Sequence, residues 1–95
     1  VMAMVKAGDA PGRDFVLKGG DAQAEDARLG TLFQGGRPKG YQPMRKQGAI
    51  LLGIGGDNSN GGVGTFYEGV MLAGFSSDEA DAAVHANVLA AGYGR

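Results

Sequence analysis

Residues 49–73 read AILLGIGGDNSNGGVGTFYEGVMLA, which is an apolar run, a glycine-rich polar loop and a second β-prone run in succession. The first run, 49–54, is apolar wherever it carries a side chain, and this predicts a strand buried on both faces. The second run, 65–72, alternates in part and predicts another strand. Together they predict two strands joined by a loop that presents the carboxyl group of Asp57 beside exposed backbone.

The acid in this loop, Asp57, has two interpretations that the pattern leaves open. Asp-Asn-Ser after Gly55 and Gly56 is ordinary turn chemistry. Alternatively, the two glycines let a ligand approach the backbone closely, and Asp57 transfers a proton to or from it. The run GGDNSNGG also offers oxygens for calcium, but it lacks the D-x-D-x-D-G spacing and the distal glutamate of a calcium loop. No metal site is therefore predicted.

Shorter strands are predicted before this stretch, at residues 1–7, 15–18 and 31–33, because each is a β-prone run bounded by glycine or turn residues. The first is apolar enough to be buried, with Lys6 marking the end that emerges into solvent. The polar, alanine-rich residues 21–30 are expected to form a loop or a single helical turn. Their acidic side chains are expected to be solvated.

One amphipathic helix is predicted at about 78–91. Ser76 and Glu79 have the spacing of a capping box, acidic residues fill the first turn, and alanine and valine recur at helical spacing. Gly92 suits the position that ends the helix. His85 lies in the middle of this helix and is expected to be an ordinary surface or boundary residue.

Composition excludes several classes of function. Nine Lys and Arg balance ten Asp and Glu, so the chain has no basic footprint for nucleic acid. No apolar run approaches the ~20 residues that cross a membrane. Cysteine is absent and there is one histidine, which excludes disulfides, thiolate sites and histidine clusters within the chain. Neither a nucleic-acid partner, a membrane partner nor a cofactor is predicted.

The fold class that follows is mostly β, with one C-terminal helix. Glycine accounts for 19 of 95 residues and falls at the ends of elements, which indicates many tight turns. A single amphipathic helix cannot cover a sheet of four or five strands. Residues 1–95 are therefore expected to form one segment of a larger domain, incomplete alone.

Two long stretches make the sequence similar to a known family. LLGIGGDNSNGGVGTFYEGVMLAG (51–74), followed by FSSDEADAAVHANVLAAGY (75–93), resembles the end of the catalytic domain of the α-L-arabinofuranosidase B family, glycoside hydrolase family 54. LKGGDAQ, GGRPKGY and PMRKQGAILLG are similar to parts of the same domain. The resemblance covers almost the whole chain.

The resemblance implies a concanavalin-like (jelly-roll) antiparallel β-sandwich in an extracellular enzyme. It further implies that terminal non-reducing α-L-arabinofuranosyl groups are hydrolysed from arabinose-containing polysaccharides, with retention of configuration and without a cofactor. Asp57 matches the family's general acid/base, and Gly56 matches the glycine whose backbone contacts the sugar.

The second catalytic group that the family uses does not match any residue here. The family's glutamate nucleophile and vicinal disulfide both lie upstream of the matched region, and Glu68 does not occupy the nucleophile position. The chain is thus expected to supply the acid/base but not the nucleophile, and to need the remainder of the domain as partner. The alternative is a non-catalytic, truncated concanavalin-like module that forms homo-oligomers or binds carbohydrate.

Overall fold

A computed structural model describes residues 1–8, 15–36, 38–40, 52 and 63–94. Within these residues the secondary structure is three strands and one helix: β1 (Met2–Ala7), β2 (Phe15–Gly20), β3 (Gly30–Gly35) and α1 (Asp78–Ala91). The three short strands and the C-terminal helix expected from the sequence are confirmed, and so is the mostly β character.

The chain divides into two compact units. One consists of Val1–Lys39 together with Leu72–Arg95 and contains every strand and helix named above. The other is Gly40–Met71, which contains both Gly56 and Asp57. Those two residues, and residues 49–54 apart from Leu52, lie outside the described part of the chain.

The strands form an antiparallel sheet in the order β1-β2-β3. Val5 pairs with Leu17, and Leu17 pairs in turn with Phe33. The next pair along is Lys18 with Thr31, so β3 has one more residue than β2 at this point. That extra residue, Leu32, forms a β-bulge.

The bulge decides which side chains share a face of the sheet. In a regular strand Leu32 would point away from Phe33. Instead, Leu32 Cδ1 lies 3.1 Å from the position that a Cβ on Gly19 would take, on the same face as Leu17. The face opposite the helix therefore carries Val5, Leu17, Leu32 and Phe33, and we call these four residues the open face.

The face towards α1 carries the two strand lysines. Lys6 and Lys18 are 6% and 7% exposed, and Val16 between them in the sheet is also buried. The expectation that Lys6 marks the solvent end of a buried strand is wrong, because its ammonium group finds partners on the helix. Val5, expected to be buried, is exposed instead.

The helix begins and ends as its sequence predicts, with one correction. Ser77, rather than Ser76, is the N-cap: its hydroxyl accepts a hydrogen bond from the backbone N–H of Ala80 at 3.1 Å. At the other end Gly92 adopts the left-handed conformation (φ 68°), which glycine takes without the steric cost of a Cβ. No helix in the described ranges is long and apolar enough to cross a membrane.

The predicted strand at 65–72 is wrong, because these residues form neither strand nor helix and are exposed. A β-prone run becomes a strand only with a hydrogen-bonded neighbour. Side chains also crowd its centre: Leu52 Cδ1 and Phe66 Cζ lie 2.7 and 2.9 Å from where a Cβ on Gly69 would sit. Residues 21–29 form bends and a turn instead of a helical turn, and their acidic side chains are exposed as expected.

Candidate functional site

The residues that the sequence singled out lie in the Gly40–Met71 unit. Of these, Glu68 is described, and it is exposed on the irregular segment 63–72. The described residues bring together a different set, of four charged groups and one hydroxyl, in the other unit. It consists of Lys6, Lys18, Ser76, Asp78 and Asp81, and we call it the lysine–aspartate cluster.

Asp81 is the centre of this cluster. It is 1% exposed, and its Oδ2 accepts hydrogen bonds from Lys6 Nζ at 2.6 Å and from Lys18 Nζ at 2.7 Å. Its other oxygen, Oδ1, accepts from the Ser76 hydroxyl at 2.5 Å. One carboxylate on the first turn of α1 thus binds the ammonium groups of two adjacent strands.

The two lysines have further partners at the start of the helix. Lys18 Nζ donates to Asp78 Oδ1 at 2.7 Å, and Lys6 Nζ donates to the Ser76 carbonyl at 2.8 Å. The Phe75 ring lies 4.4 Å from Lys6 Nζ, within reach of a cation–π interaction. None of the buried side-chain nitrogen and oxygen atoms of the cluster lacks a hydrogen-bond partner, as buried charges require.

The cluster changes the acidity of its members. Burial acts to raise the pKa of Asp81, but the hydrogen bonds from Lys18, Lys6 and Ser76 outweigh it and lower that pKa from 3.8 to about 2. Burial likewise acts to lower the pKa of Lys18, but its bonds to Asp78 and Asp81 raise it overall. The hydrogen bond from Lys18 lowers the pKa of the exposed Asp78.

The direction of each pKa shift determines how the stability of the fold changes with pH. The pKa of Asp81 is lower in the folded state, so its contribution is present above about pH 4 and is lost as the pH falls towards 2. The contribution is on the order of 2 kcal/mol. Lys18 has the opposite sign: its contribution is complete below its ordinary pKa of 10.5 and is lost above its raised value.

Chemically, the cluster suits attachment better than catalysis. Asp81 is ionised, accepts three hydrogen bonds from neighbouring side chains and is closed to solvent, so a substrate cannot reach its carboxylate. In the part of the chain that the structure describes, no group of three or more His, Asp or Glu side chains could hold a metal ion.

His85, one helical turn after Asp81, also differs from the sequence interpretation, which expected an ordinary surface or boundary residue. It is 3% exposed, and its Nε2 donates to the Asp21 carbonyl at 2.8 Å, which ties the loop after β2 to α1. A cavity of about 300 Å³ lies beside it, between residues 27–29 and the helix, with Leu89 and Arg28 in its lining. The role of His85 in this position is structural, because its ring joins the loop after β2 to the helix.

The sequence contained a partial signal for the cluster. Lys6 and Lys18 interrupt two otherwise apolar runs, and Asp81 falls on the helix face that also carries His85 and Val88. The partners are 75 and 63 residues apart, however, and no local pattern joins them.

Comparison with known proteins gives a consistent result. A family model described as "Alpha-L-arabinofuranosidase B, catalytic" matches residues 1–94. Over 95 residues, 98% of this chain and 18% of the relative, the chain is 50% identical to "Alpha-L-arabinofuranosidase B" of Aspergillus niger. Over 81 residues, 83% of this chain and 16% of the relative, it is 54% identical to "Arabinofuranosidase/B-xylosidase" of Trichoderma koningii.

These matches define how much of such a protein is present. The chain spans less than one fifth of the length of the curated relatives it matches. No solved structure matches it. The family-model match includes positions 56 and 57.

Proposed function

Because this chain belongs to the α-L-arabinofuranosidase B catalytic family, we propose that it forms part of an enzyme that hydrolyses terminal non-reducing α-L-arabinofuranosyl groups. The observation that carries the proposal is the match over residues 1–94, which includes GGDNSN at 55–60. The Aspergillus niger relative is likewise named an α-L-arabinofuranosidase. The substrate class is an arabinose-containing polysaccharide or oligosaccharide, and the location is extracellular.

In this proposal Asp57 is the general acid/base of a retaining mechanism. A retaining glycosidase uses two carboxyl groups roughly 5–5.5 Å apart. The nucleophile, outside this chain, attacks the anomeric carbon while Asp57 gives its proton to the departing glycosidic oxygen. The Asp57 carboxylate then takes a proton from the water that hydrolyses the arabinosyl–enzyme ester. The Gly56 backbone contacts the sugar.

The described sheet supports the accompanying fold proposal. A concanavalin-like sandwich needs a second layer against at least one apolar sheet face. The open face presents four apolar side chains to solvent, between 42% and 74% exposed. The remainder of the catalytic domain would supply that layer, along with the nucleophile.

The test of the acid/base role is Asp57→Asn in the protein that carries the complete catalytic domain. General acid catalysis contributes about 10²- to 10⁴-fold, and it matters most when the leaving group is poor. We expect kcat/KM to fall by that factor on arabinofuranosyl oligosaccharides and much less on an activated aryl arabinofuranoside. The matched control, Asp26→Asn, removes an exposed loop carboxyl and should change neither. Equal losses on both substrates would refute the role of Asp57.

A non-catalytic module is the second candidate, and the open face is the observation that favours it. In such a module the open face would be covered by another copy of the chain, or the module would bind carbohydrate without cleaving it. Mass measurement in solution separates the two candidates. A dimer that persists at low concentration supports the module, whereas a complex with the rest of the catalytic domain supports the enzyme.

A further inference from the structure

The fully buried residues at α1 and the sheet include more charged or polar groups than apolar ones. In the described part of the chain, the buried apolar residues are Val16, Ala22 and Val88. The groups buried alongside them are charged or polar: Lys6, Lys18, Asp81 and His85. Half-buried Phe75, Val84 and Leu89 add to the apolar burial, but removing one member of a buried group of paired charges leaves the others uncompensated. The ionic contacts are therefore the sensitive part of the attachment.

The geometry concentrates this attachment on one atom. Lys6 and Lys18 both bind Asp81 Oδ2, so their ammonium groups lie within a few ångström of each other. Loss of the Asp81 charge would leave two buried like charges side by side. Their remaining partners are the Ser76 carbonyl and the Phe75 ring, which carry no charge, and Asp78, whose side chain is 79% exposed and largely screened by water.

We propose that Asp81 is an acid-sensitive latch, which holds α1 on the sheet as a carboxylate and releases it on protonation while the strand pairing persists. The groups facing Asp81 are Lys6 of β1, Lys18 of β2, and Ser76 and Asp78 at the helix start. His85 follows Asp81 by one turn on the same helix face, and its Nε2 donates to the Asp21 carbonyl.

The strands do not share this dependence. β1, β2 and β3 are joined by continuous antiparallel pairing of backbone groups that do not titrate. Protonation of Asp81 removes the counter-charge from the helix face of the sheet without breaking a ladder hydrogen bond. The folded-state pKa of Asp81, lowered to about 2, gives the sign: the latch is closed above about pH 4 and opens as the pH falls.

The test is an acid titration of the isotopically labelled protein, from pH 7 to pH 2, followed by two-dimensional amide NMR. We expect the amide resonances of residues 78–91 to lose their folded-state chemical shifts between about pH 4 and pH 2. The amide resonances of Met2–Ala7 and Phe15–Gly20 should keep their folded-state chemical shifts over the same pH range. If strand and helix amides change together, or none changes, the latch is refuted.

Two variants and a control make the result specific to Asp81. Asp81→Asn should show released helix amides already at pH 7. Glu79→Gln, which removes an exposed carboxyl from the same helical turn, should titrate like the parent. If Asp81→Asn does not fold, the triple variant Lys6→Met/Lys18→Met/Asp81→Leu decides: a helix that stays attached at pH 2 supports the latch, and an unchanged acid transition overturns it.

Discussion

The two faces of the three-stranded sheet reverse the usual distribution of charged and apolar side chains. Against α1, the sheet buries Lys6 and Lys18 together with Val16. Away from α1, it exposes Val5, Leu17, Leu32 and Phe33. An antiparallel sheet with one solvated face ordinarily places its apolar residues inward and its polar residues outward. The contrast shows that charged groups are paired on the face that contacts the helix, while four large apolar side chains lie on the face that the helix leaves exposed.

The largest effect on stability is expected on the face towards α1, which carries Lys6 and Lys18 and which we call the charged face. Asp81→Asn keeps the shape of the side chain but leaves Lys6 and Lys18 buried beside a neutral amide. Removing one partner of a buried ion pair costs about 3–5 kcal/mol, so the free energy of unfolding at pH 7 should fall by that amount. Urea denaturation followed by circular dichroism measures it.

The control for Asp81→Asn is Asp26→Asn, an exposed loop carboxyl whose loss should stay within about 0.5 kcal/mol. The apolar triple variant Lys6→Met/Lys18→Met/Asp81→Leu should recover most of the stability, because it removes the charges and their desolvation together. A loss below about 1 kcal/mol for Asp81→Asn would show that charge pairing does not hold the helix.

Local sequence signals predicted the elements well. The limits of α1, 78 and 91, follow from acidic residues at its start, apolar spacing along it and Gly92 after it. The strands follow from short apolar runs bounded by glycine. Each of these signals lies within a few residues of the structure it predicts, which is why a single sequence suffices.

Signals that depend on distant partners were missed or misread. Lys6 was predicted to emerge into solvent because its partner Asp81 is 75 residues away, and no local sequence pattern indicates that pairing. Segment 65–72 has β-prone residues but forms no strand. The bulge at Leu32 depends on pairing with β2, and simple alternation along the strand would place that residue on the wrong face. The role of Asp57 stays a prediction.

Two adjacent serines give an effect of intermediate size on the charged face. Ser77 caps α1, and Ser77→Ala should cost about 1 kcal/mol with little difference between pH 7 and pH 3. Ser76 donates to the Asp81 carboxylate, and Ser76→Ala should cost about 1.5–3 kcal/mol at pH 7. The cost of Ser76→Ala should shrink as Asp81 becomes protonated.

Thermal or urea unfolding of both serine variants at the two pH values checks this difference. Ser77→Thr retains a capping hydroxyl and should restore most of the lost stability. A Ser76→Ala cost that does not change with pH would mean that its hydroxyl stabilises the helix start independently of the Asp81 charge.

The smallest effect is expected on the open face, and there the result depends on what covers it. Val5→Thr nearly keeps the size and the strand preference of the side chain but adds a hydroxyl. In the 95-residue chain Val5 is exposed, so the free energy of unfolding should change by less than about 0.5 kcal/mol. Within the complete catalytic domain, the same hydroxyl would be buried under a second layer and should cost about 1–3 kcal/mol. Equal, small effects in both proteins would place the second layer of the sandwich elsewhere, and a large effect in the short chain alone would show that another copy covers Val5.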